Sequence, residues 1–307
     1  MNQWSVRSFR NVAVLVLLIC LCFMPRFLNE YLLNILIMTF LWIMLTVSLN
    51  FVGTMGYISI CHATFYGIGA YVAGILTFKA EAPFVVSLAS GALGAGLAGV
   101  LLGFPAFRVR GHYFAIATLA FSLILSLVFS NWHEVTGGDR GLTGIFSPFL
   151  TSRGYYFLML GIVVLTVVVS HLVLNSRLGR QLVTIREDED LAQQMGINTM
   201  QVKLVAFGLA SLVAGLAGGL MVHYVNFVHP DFFTFGYSFS VIMGMLMGGV
   251  GTTGGAVLGG VIAVGLPELL RFTVGWRYIV MGFVLILVMI LMPKGIYGTL
   301  SHSLSKR

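Results

Sequence analysis

YYFLMLGIVVLTVVVSHLVL (155–174) runs directly into NSRLGRQLVTIREDEDLAQQMGINTMQVK (175–203). The first stretch holds no Asp, Glu, Lys or Arg, and roughly 20 such residues cross a bilayer as a helix. The second is too polar for lipid and carries four of the chain's ten acidic residues, Glu187 to Asp190. Together they read as a membrane helix leaving the bilayer for water. Composition agrees: of 307 residues, 58% are hydrophobic and 9% charged, with a mean hydropathy of +0.98. A soluble domain is about 25% charged, so this chain lacks the polar groups to cover a globule of its size. A soluble enzyme, a disordered tail and a nucleic-acid module are excluded, which leaves an all-α polytopic protein whose surroundings are the lipid bilayer.

Further apolar stretches lie at 12–24, 31–52, 57–78, 84–107 and 113–131, then at 204–228, 237–250, 254–270 and 278–292. With 155–174 they make about ten transmembrane segments. The stretches 237–250 and 254–270 are short and glycine-rich, and either span or re-enter. If all ten cross, both termini and 175–203 share one side. That side holds Arg7, Arg10, Arg108, Arg110, Arg177, Arg180, Arg186, Lys203, Lys294, Lys306 and Arg307; the other holds Arg26, Lys79, Arg140, Arg153, Arg271 and Arg277. The excess marks the first side, and so both termini, as cytoplasmic. It also accounts for the net charge of +7 without a nucleic-acid partner. Arg7 and Arg10 before 12–24 imitate the start of a signal peptide, but Pro25-Arg26 follows where a small-x-small site is needed, so a retained first helix is expected. Cys20, Cys22 and Cys61 are odd in number, lie in apolar stretches and lack metal-site spacing, so they read as small lipid- or core-facing residues.

Glycines interrupt the third and eighth segments, as Gly67-Ile68-Gly69-Ala70 and as Gly248-Gly249-Val250-Gly251 before Thr252. Ten segments split five and five put these in corresponding places, and an odd count per half inverts the second half on the first. Paired interruptions of this kind point to a transport route between inverted repeats. Close helix packing is the equal alternative, because small residues let membrane helices approach.

Within 175–203, Thr184 and Glu187 have the spacing of a capping box. Leu191, Met195 and Ile197 then give a short charged helix an apolar edge. A solvated loop needs no such edge, whereas a helix that docks on a soluble partner does.

This segment resembles the coupling loop of ABC importer permeases, Glu-Ala-Ala then three residues then Gly: here Asp190-Leu191-Ala192 precedes Gly196, departing at the first two positions. Arg177-Leu178-Gly179-Arg180, Ile185-Arg186-Glu187-Asp188-Glu189, Gly196-Ile197-Asn198 and Lys203-Leu204-Val205-Ala206-Phe207 are similar to the LivM-type permeases of branched-chain amino acid importers. So are Gly56-Tyr57-Ile58-Ser59, the run from His62 to Tyr71, Arg110 to Leu119, Gly141 to Ile145, Gly248 to Thr252 and Pro293 to Gly298. The resemblance implies one permease domain over 1–307 with a cytoplasmic coupling helix in 175–203, in a bacterial inner membrane. It implies a paralogous LivH-type subunit, two cytoplasmic ATPase subunits and a periplasmic substrate-binding protein as partners. Coupling to the ATPases would involve Arg180, Arg186, Glu187, Asp188, Leu191, Ala192, Met195 and Gly196. The route would be lined by Ser59, His62, Thr64, Gly67, Gly69, Gly248, Gly249, Gly251 and Thr252.

The chain itself is no motor. A P-loop needs a lysine directly after glycine, and Lys79, Lys203, Lys294 and Lys306 have none before them. ATP and Mg belong to the ATPase partners, and no cofactor, metal or catalytic residue is expected here. His62 reads first as a packing histidine bonded by Ser or Thr and second as a substrate contact. Asn50 and Asn131 sit at span ends within reach of headgroup water, Glu268 pairs with Arg271 one turn on, and Asp231 is solvated. The outer interval 132–153 is either a turn-rich loop or a contact for a delivered substrate. A secondary transporter would show charged residues along its spans and a membrane enzyme would show clustered ligands; the seven histidines are dispersed. The resemblance favours leucine, isoleucine and valine as cargo, with urea, amides or other amino acids as the alternative.

Overall fold

A computed structural model describes residues 16, 19–147, 151–271, 276–293 and 295–299, so residues 12–15, 17 and 18 of the expected first segment lie outside the described residues. Among the described residues the longer helices are α1 (Glu30–Thr54), α2 (His62–Ala80), α3 (Phe84–Ala106), α4 (His112–Asn131), α5 (Ser152–Asn175), α6 (Arg177–Glu187), α7 (Glu189–Gln194), α8 (Thr199–Val225), α9 (Phe235–Gly248), α10 (Thr253–Leu269) and α11 (Arg277–Leu291). Each apolar stretch after the first becomes a helix, and among the described residues six helices are long and apolar enough to cross a membrane. The chain is a polytopic, all-α membrane protein. One two-residue antiparallel ladder interrupts the pattern, Leu142–Thr143 (β1) on Phe227–Val228 (β2).

Helices α1 and α8 form the centre: 61% and 67% of their most apolar windows are buried, against 22% for α4. They pack on each other, α1 also on α10 and α5, α8 also on α3 and α2. Helices α2 and α3 pack together, as do α9 and α10. Leu123, Ile124 and Leu127 of α4, with Ile279, Phe283 and Ile290 of α11, remain exposed, as lipid-facing side chains must be.

Helix α9 has 14 residues and α10 has 17, about 21 and 26 Å of axis. Both fall short of the ~30 Å hydrocarbon thickness. Chain before α9 makes up the difference: the single turn Pro230–Phe233 buries Phe233 against Gly67 and the rings of Tyr66 and Tyr71. Irregular backbone at depth survives only inside protein or beside water.

Contacts between loops sort the bundle into two ends. At one, Lys79 donates to the Glu134 carbonyl at 2.5 Å, β1 pairs with β2, His229 meets the Asp139 carbonyl at 2.9 Å, and Tyr31 bonds Glu268. Glu268 also pairs with Arg271 at 3.4 Å, as expected, and Asp231 is exposed beside His229. At the other end, residues 55–61, 107–111, 176–198 and 249–252 converge.

Candidate functional site

The expected coupling segment folds as two helices. Ser176 Oγ caps α6 by accepting from the Leu178 N–H at 3.2 Å. Asp188 is extended, and its Oδ1 accepts from the N–H groups of Asp190 and Leu191 at 2.9 Å each, which starts α7. The capping box expected at Thr184 and Glu187 does not form. Ser176 nucleates the helix two turns earlier, Thr184 becomes interior and donates to the Arg180 carbonyl at 3.0 Å, and the break moves to Asp188, an equally strong cap. Gly196 closes α7 at φ +80, where glycine has no Cβ to strain, and the Ile197 N–H returns to the Ala192 carbonyl at 3.1 Å.

Arg180, Arg186, Glu187, Asp188, Leu191, Met195 and Gly196 are all exposed. Ala192, expected on the same face, is fully buried and seats α7 on the body instead. Leu191 is 51% and Met195 69% exposed and these two point away from the protein, whereas Ile197, expected on the same edge, is half-buried against the core.

Two ion pairs hold the first turn of α7. Lys203 of α8, 2% exposed, donates to Glu189 Oε1 at 2.6 Å. The Tyr57 hydroxyl donates to Glu189 Oε2 at 3.0 Å, and Thr199 and Gln193 extend the network. Burial raises the Glu189 carboxyl, but Lys203, then Tyr57 and Arg110, outweigh it and hold it below the usual range. Next to it, Asp190 takes a bidentate bridge from Arg110 at 2.7 and 3.1 Å, exposed on both sides. Arg110 lowers the Asp190 carboxyl through hydrogen bond and charge. Stranding one partner of a buried pair costs about 3–5 kcal/mol, so the Lys203 contact is the firm attachment.

The expected route residues fall into two groups. Helix α2 runs through Gly67 and Gly69 without interruption, contrary to the expected break. A Cβ at Gly69 would overlap the Gly215 backbone of α8 and one at Gly67 would meet the Phe233 ring, so these glycines admit close neighbours and do not unwind the helix. At the start of α2, His62 is fully buried and pairs through Nε2 with Ser48 Oγ at 2.7 Å, while Nδ1 has no partner among the described residues. Ser59 contacts Cys61 Sγ at 3.4 Å, and Thr64 donates to Ser122 at 2.9 Å.

The helix of the eighth segment is not interrupted either; it stops at Gly248, and the remaining glycines form the turn into α10. Helix α9 ends at Gly248, Gly249 and Gly251 take φ of +119 and +84, and Thr252 caps α10 by accepting from the Gly255 N–H at 3.1 Å. The start of α9 meets α2, where Ser238 accepts from the Ala63 N–H at 3.0 Å. Its far end meets α1 and Arg186 of α6. A side chain at Gly56 or Gly251 would touch Arg186, which therefore runs from α6 to both loops.

The sequence reading missed Asn50 and both ion pairs of α7, Glu189 with Lys203 and Tyr57, and Asp190 with Arg110. Asn50, expected in headgroup water, is fully buried: its Oδ1 accepts from the Gly251 N–H at 2.8 Å and its Nδ2 donates to the Thr252 carbonyl at 3.3 Å. An asparagine within an apolar run, two residues beyond Ser48, was the available signal. Lys203 and Tyr57 gave no sign of their partner in sequence. Among the described residues no group of three His, Cys, Asp or Glu is placed to hold a metal ion. Toward the opposite end, a cavity of about 520 Å³ lies between α1, α9, α10 and α11, with Trp42, Tyr237 and Met281 among its walls and Asp231 and Glu268 among its polar groups.

Residues 31–289 match the family described as branched-chain amino acid transport system, permease component. The chain is 32% identical over 315 aligned positions to the high-affinity branched-chain amino acid transport system permease protein LivM of Escherichia coli K12, covering 93% of this chain and 73% of that one. It is 26% identical over 275 positions to the permease protein LivH of Salmonella typhimurium LT2, covering 80% and 87%. It is 28% identical over 264 positions to the ribose import permease protein RbsC of Escherichia coli K12, covering 83% and 80%. No solved structure matches. With the family matched over most of its length, the chain belongs to the permease components of branched-chain amino acid transport systems.

Proposed function

We propose that this chain is the non-catalytic membrane subunit of an ATP-driven importer and that, with a paralogous LivH-type subunit, it forms the route for leucine, isoleucine and valine. The observation that carries the reading is a charged helix pair, anchored by Lys203 and Arg110, that turns Leu191 and Met195 outward. Two cytoplasmic ATPase subunits holding ATP and Mg would dock there, and a periplasmic binding protein would deliver the solute at the other end. The whole chain then acts as a single permease domain.

Ten crossings in two inverted halves are part of this proposal, with both termini in the cytoplasm of a bacterial inner membrane. The packing supports the halves. Counted from the first expected segment, α1 is second and packs on the ninth, α10; α8 is seventh and packs on the fourth, α3. That is the exchange an inverted pair of five-segment units produces. Of the third and eighth segments, α2 follows the non-helical stretch 55–61 and α9 follows the single 3-10 turn Pro230–Phe233. The polar start of α2 and the cavity beside Trp42 and Tyr237 support a route along α9, with aromatic and thioether walls for an aliphatic side chain. Relatives named for amino acids and for ribose leave another small solute as the second reading.

Reconstituting the complex in proteoliposomes and measuring ATP-dependent uptake against a panel of amino acids, urea, amides and sugars tests the assignment. Leucine, isoleucine and valine should be carried in preference. Uptake that persists on an ion gradient without ATP would replace the importer with a secondary transporter.

A further inference from the structure

Glu189 and Asp190 are adjacent, yet they tie α7 to the body in unlike ways. The Glu189–Lys203 pair is 13% and 2% exposed and shares the Tyr57 and Thr199 hydroxyls. The Asp190–Arg110 pair is 65% and 57% exposed. Water and salt weaken the exposed bridge far more than the buried one. Helix α7 also has a joint at each end, extended Asp188 and left-handed Gly196, with open space where a Gly196 side chain would stand. Arg110 is equally unconstrained, since Gly111 follows at φ +58 with nothing within 4 Å of its Cβ direction.

A force on Leu191 and Met195 therefore breaks the Arg110 bridge first and turns α7 about the buried contact. We propose that α7 is a lever: the Glu189–Lys203–Tyr57 contact is its pivot and the Arg110–Asp190 bridge is a latch that opens in each transport cycle. This rests on the permease reading, because the force comes from the ATPase subunit docked on α7. The pivot has an outlet toward the route. Tyr57 packs edge-on against Phe107 and Phe114 at 5.5 and 5.0 Å, and its backbone belongs to the non-helical 55–61 stretch that leads through Ser59 to His62 and α2. Rotation at Glu189 is thus passed to the start of α2 through one hydroxyl and one short length of chain. Glu189, Lys203 and Tyr57 are positioning residues for transport.

The test is made on the full complex in proteoliposomes, reading leucine uptake and ATP hydrolysis with and without binding protein. Asp190→Asn and Arg110→Gln release the latch, so ATP hydrolysis without binding protein should rise about two- to fivefold, with solute carried per ATP kept. Glu189→Gln with Lys203→Met removes both pivot charges without stranding either. That double variant should assemble and hydrolyse ATP while solute carried per ATP falls about tenfold or more, a loss set against the few kcal/mol held in such a contact. Tyr57→Phe keeps the ring packing and covers the case in which the double variant fails to assemble; it too should lower solute per ATP. Latch and pivot variants that shift the ratio alike, or Tyr57→Phe at the wild-type ratio, overturn the lever. A wild-type complex that hydrolyses ATP on binding-protein contact yet carries no branched-chain amino acid overturns the substrate reading instead, and the lever is then read from latch-variant hydrolysis.

Discussion

Asn50 Oδ1, itself fully buried, accepts the N–H of the half-buried Gly251 at 2.8 Å, joining residues 201 positions apart. Backbone at φ +84 has no helical partner for its amide, and one side chain from the central helix α1 supplies it. Asn50→Leu fills the space but takes the side-chain partner from the half-buried Gly251 N–H, at a cost of up to about 1–3 kcal/mol, while the carbonyl of the exposed Thr252 can turn to water. The thermal midpoint of the purified chain should fall by several degrees. An unchanged midpoint would mean that the loop finds another partner and that Asn50 is not its clamp.

The glycines of the two expected route groups should respond differently. A Cβ at Gly69 overlaps the Gly215 backbone, so Gly69→Ala forces α2 and α8 apart and should lower the yield of folded protein. Gly251 has open space around it apart from Arg186 at 3.9 Å. Gly251→Ala meets only the left-handed backbone strain, about 1–2 kcal/mol. It should give folded, assembled protein with altered uptake. Equal loss of yield in both would make Gly251 a packing glycine as well.

The helices were legible because runs of about 20 uncharged residues have one stable form in lipid, and every described apolar stretch became one. Their edges were less so. Tyr57 and Ile58 are apolar and were placed in the third segment, but Gly56 takes φ +82 and the Tyr57 hydroxyl is drawn to Glu189, which delays α2 to His62. The exposed face of α7 was legible from its apolar pair, Leu191 and Met195, and its acidic run. Its anchors were not, since Arg110 and Asp190 are 80 residues apart and meet only once the bundle has aligned their ends. The glycine break misread at Gly67 and Gly69 shows the same limit, because a glycine admits either a bend or a close neighbour and only the neighbour decides.

The sidedness of the two ends can be read by cysteine labelling in a background with Cys20, Cys22 and Cys61 replaced by serine. An impermeant maleimide added to intact cells should label a cysteine at Arg140 and spare one at Glu187, both exposed residues at opposite ends. The reverse pattern would overturn the cytoplasmic assignment of α7, and with it the docking surface.

The attachment of α7 should be insensitive to pH across the physiological range. Glu189 and Asp190 have ordinary values of 4.5 and 3.8, and both are lowered in the folded protein. A lowered carboxyl contributes its full stability above its unfolded value and loses it as pH falls through the folded one. The difference in thermal midpoint between wild type and the Glu189→Gln, Lys203→Met double variant should therefore hold from about pH 8 to 5.5 and shrink only below about pH 4. A difference that changes between pH 6 and 7 would point to a histidine acting on the contact.

The docking face gives the last prediction. Glu187 is exposed and makes no part of a cap, whereas Asp188 caps α7 through two amides. Reversing both charges at once would mix a docking effect with a lost cap worth about 1 kcal/mol. Single variants separate them. Glu187→Lys, Leu191→Asp and Met195→Asp alter only side chains directed to solvent, so the isolated chain should insert and melt as wild type. In the complex, the two aspartates would place a charge where an ATPase surface expects an apolar residue, and each should cut co-purification of the ATPase subunits about tenfold or more. Asp188→Ala should instead loosen α7 and lower the melting temperature of the isolated chain slightly. If Leu191→Asp and Met195→Asp leave ATPase binding and uptake intact, the exposed edge of α7 faces water and the ATPases dock elsewhere on this end of the bundle.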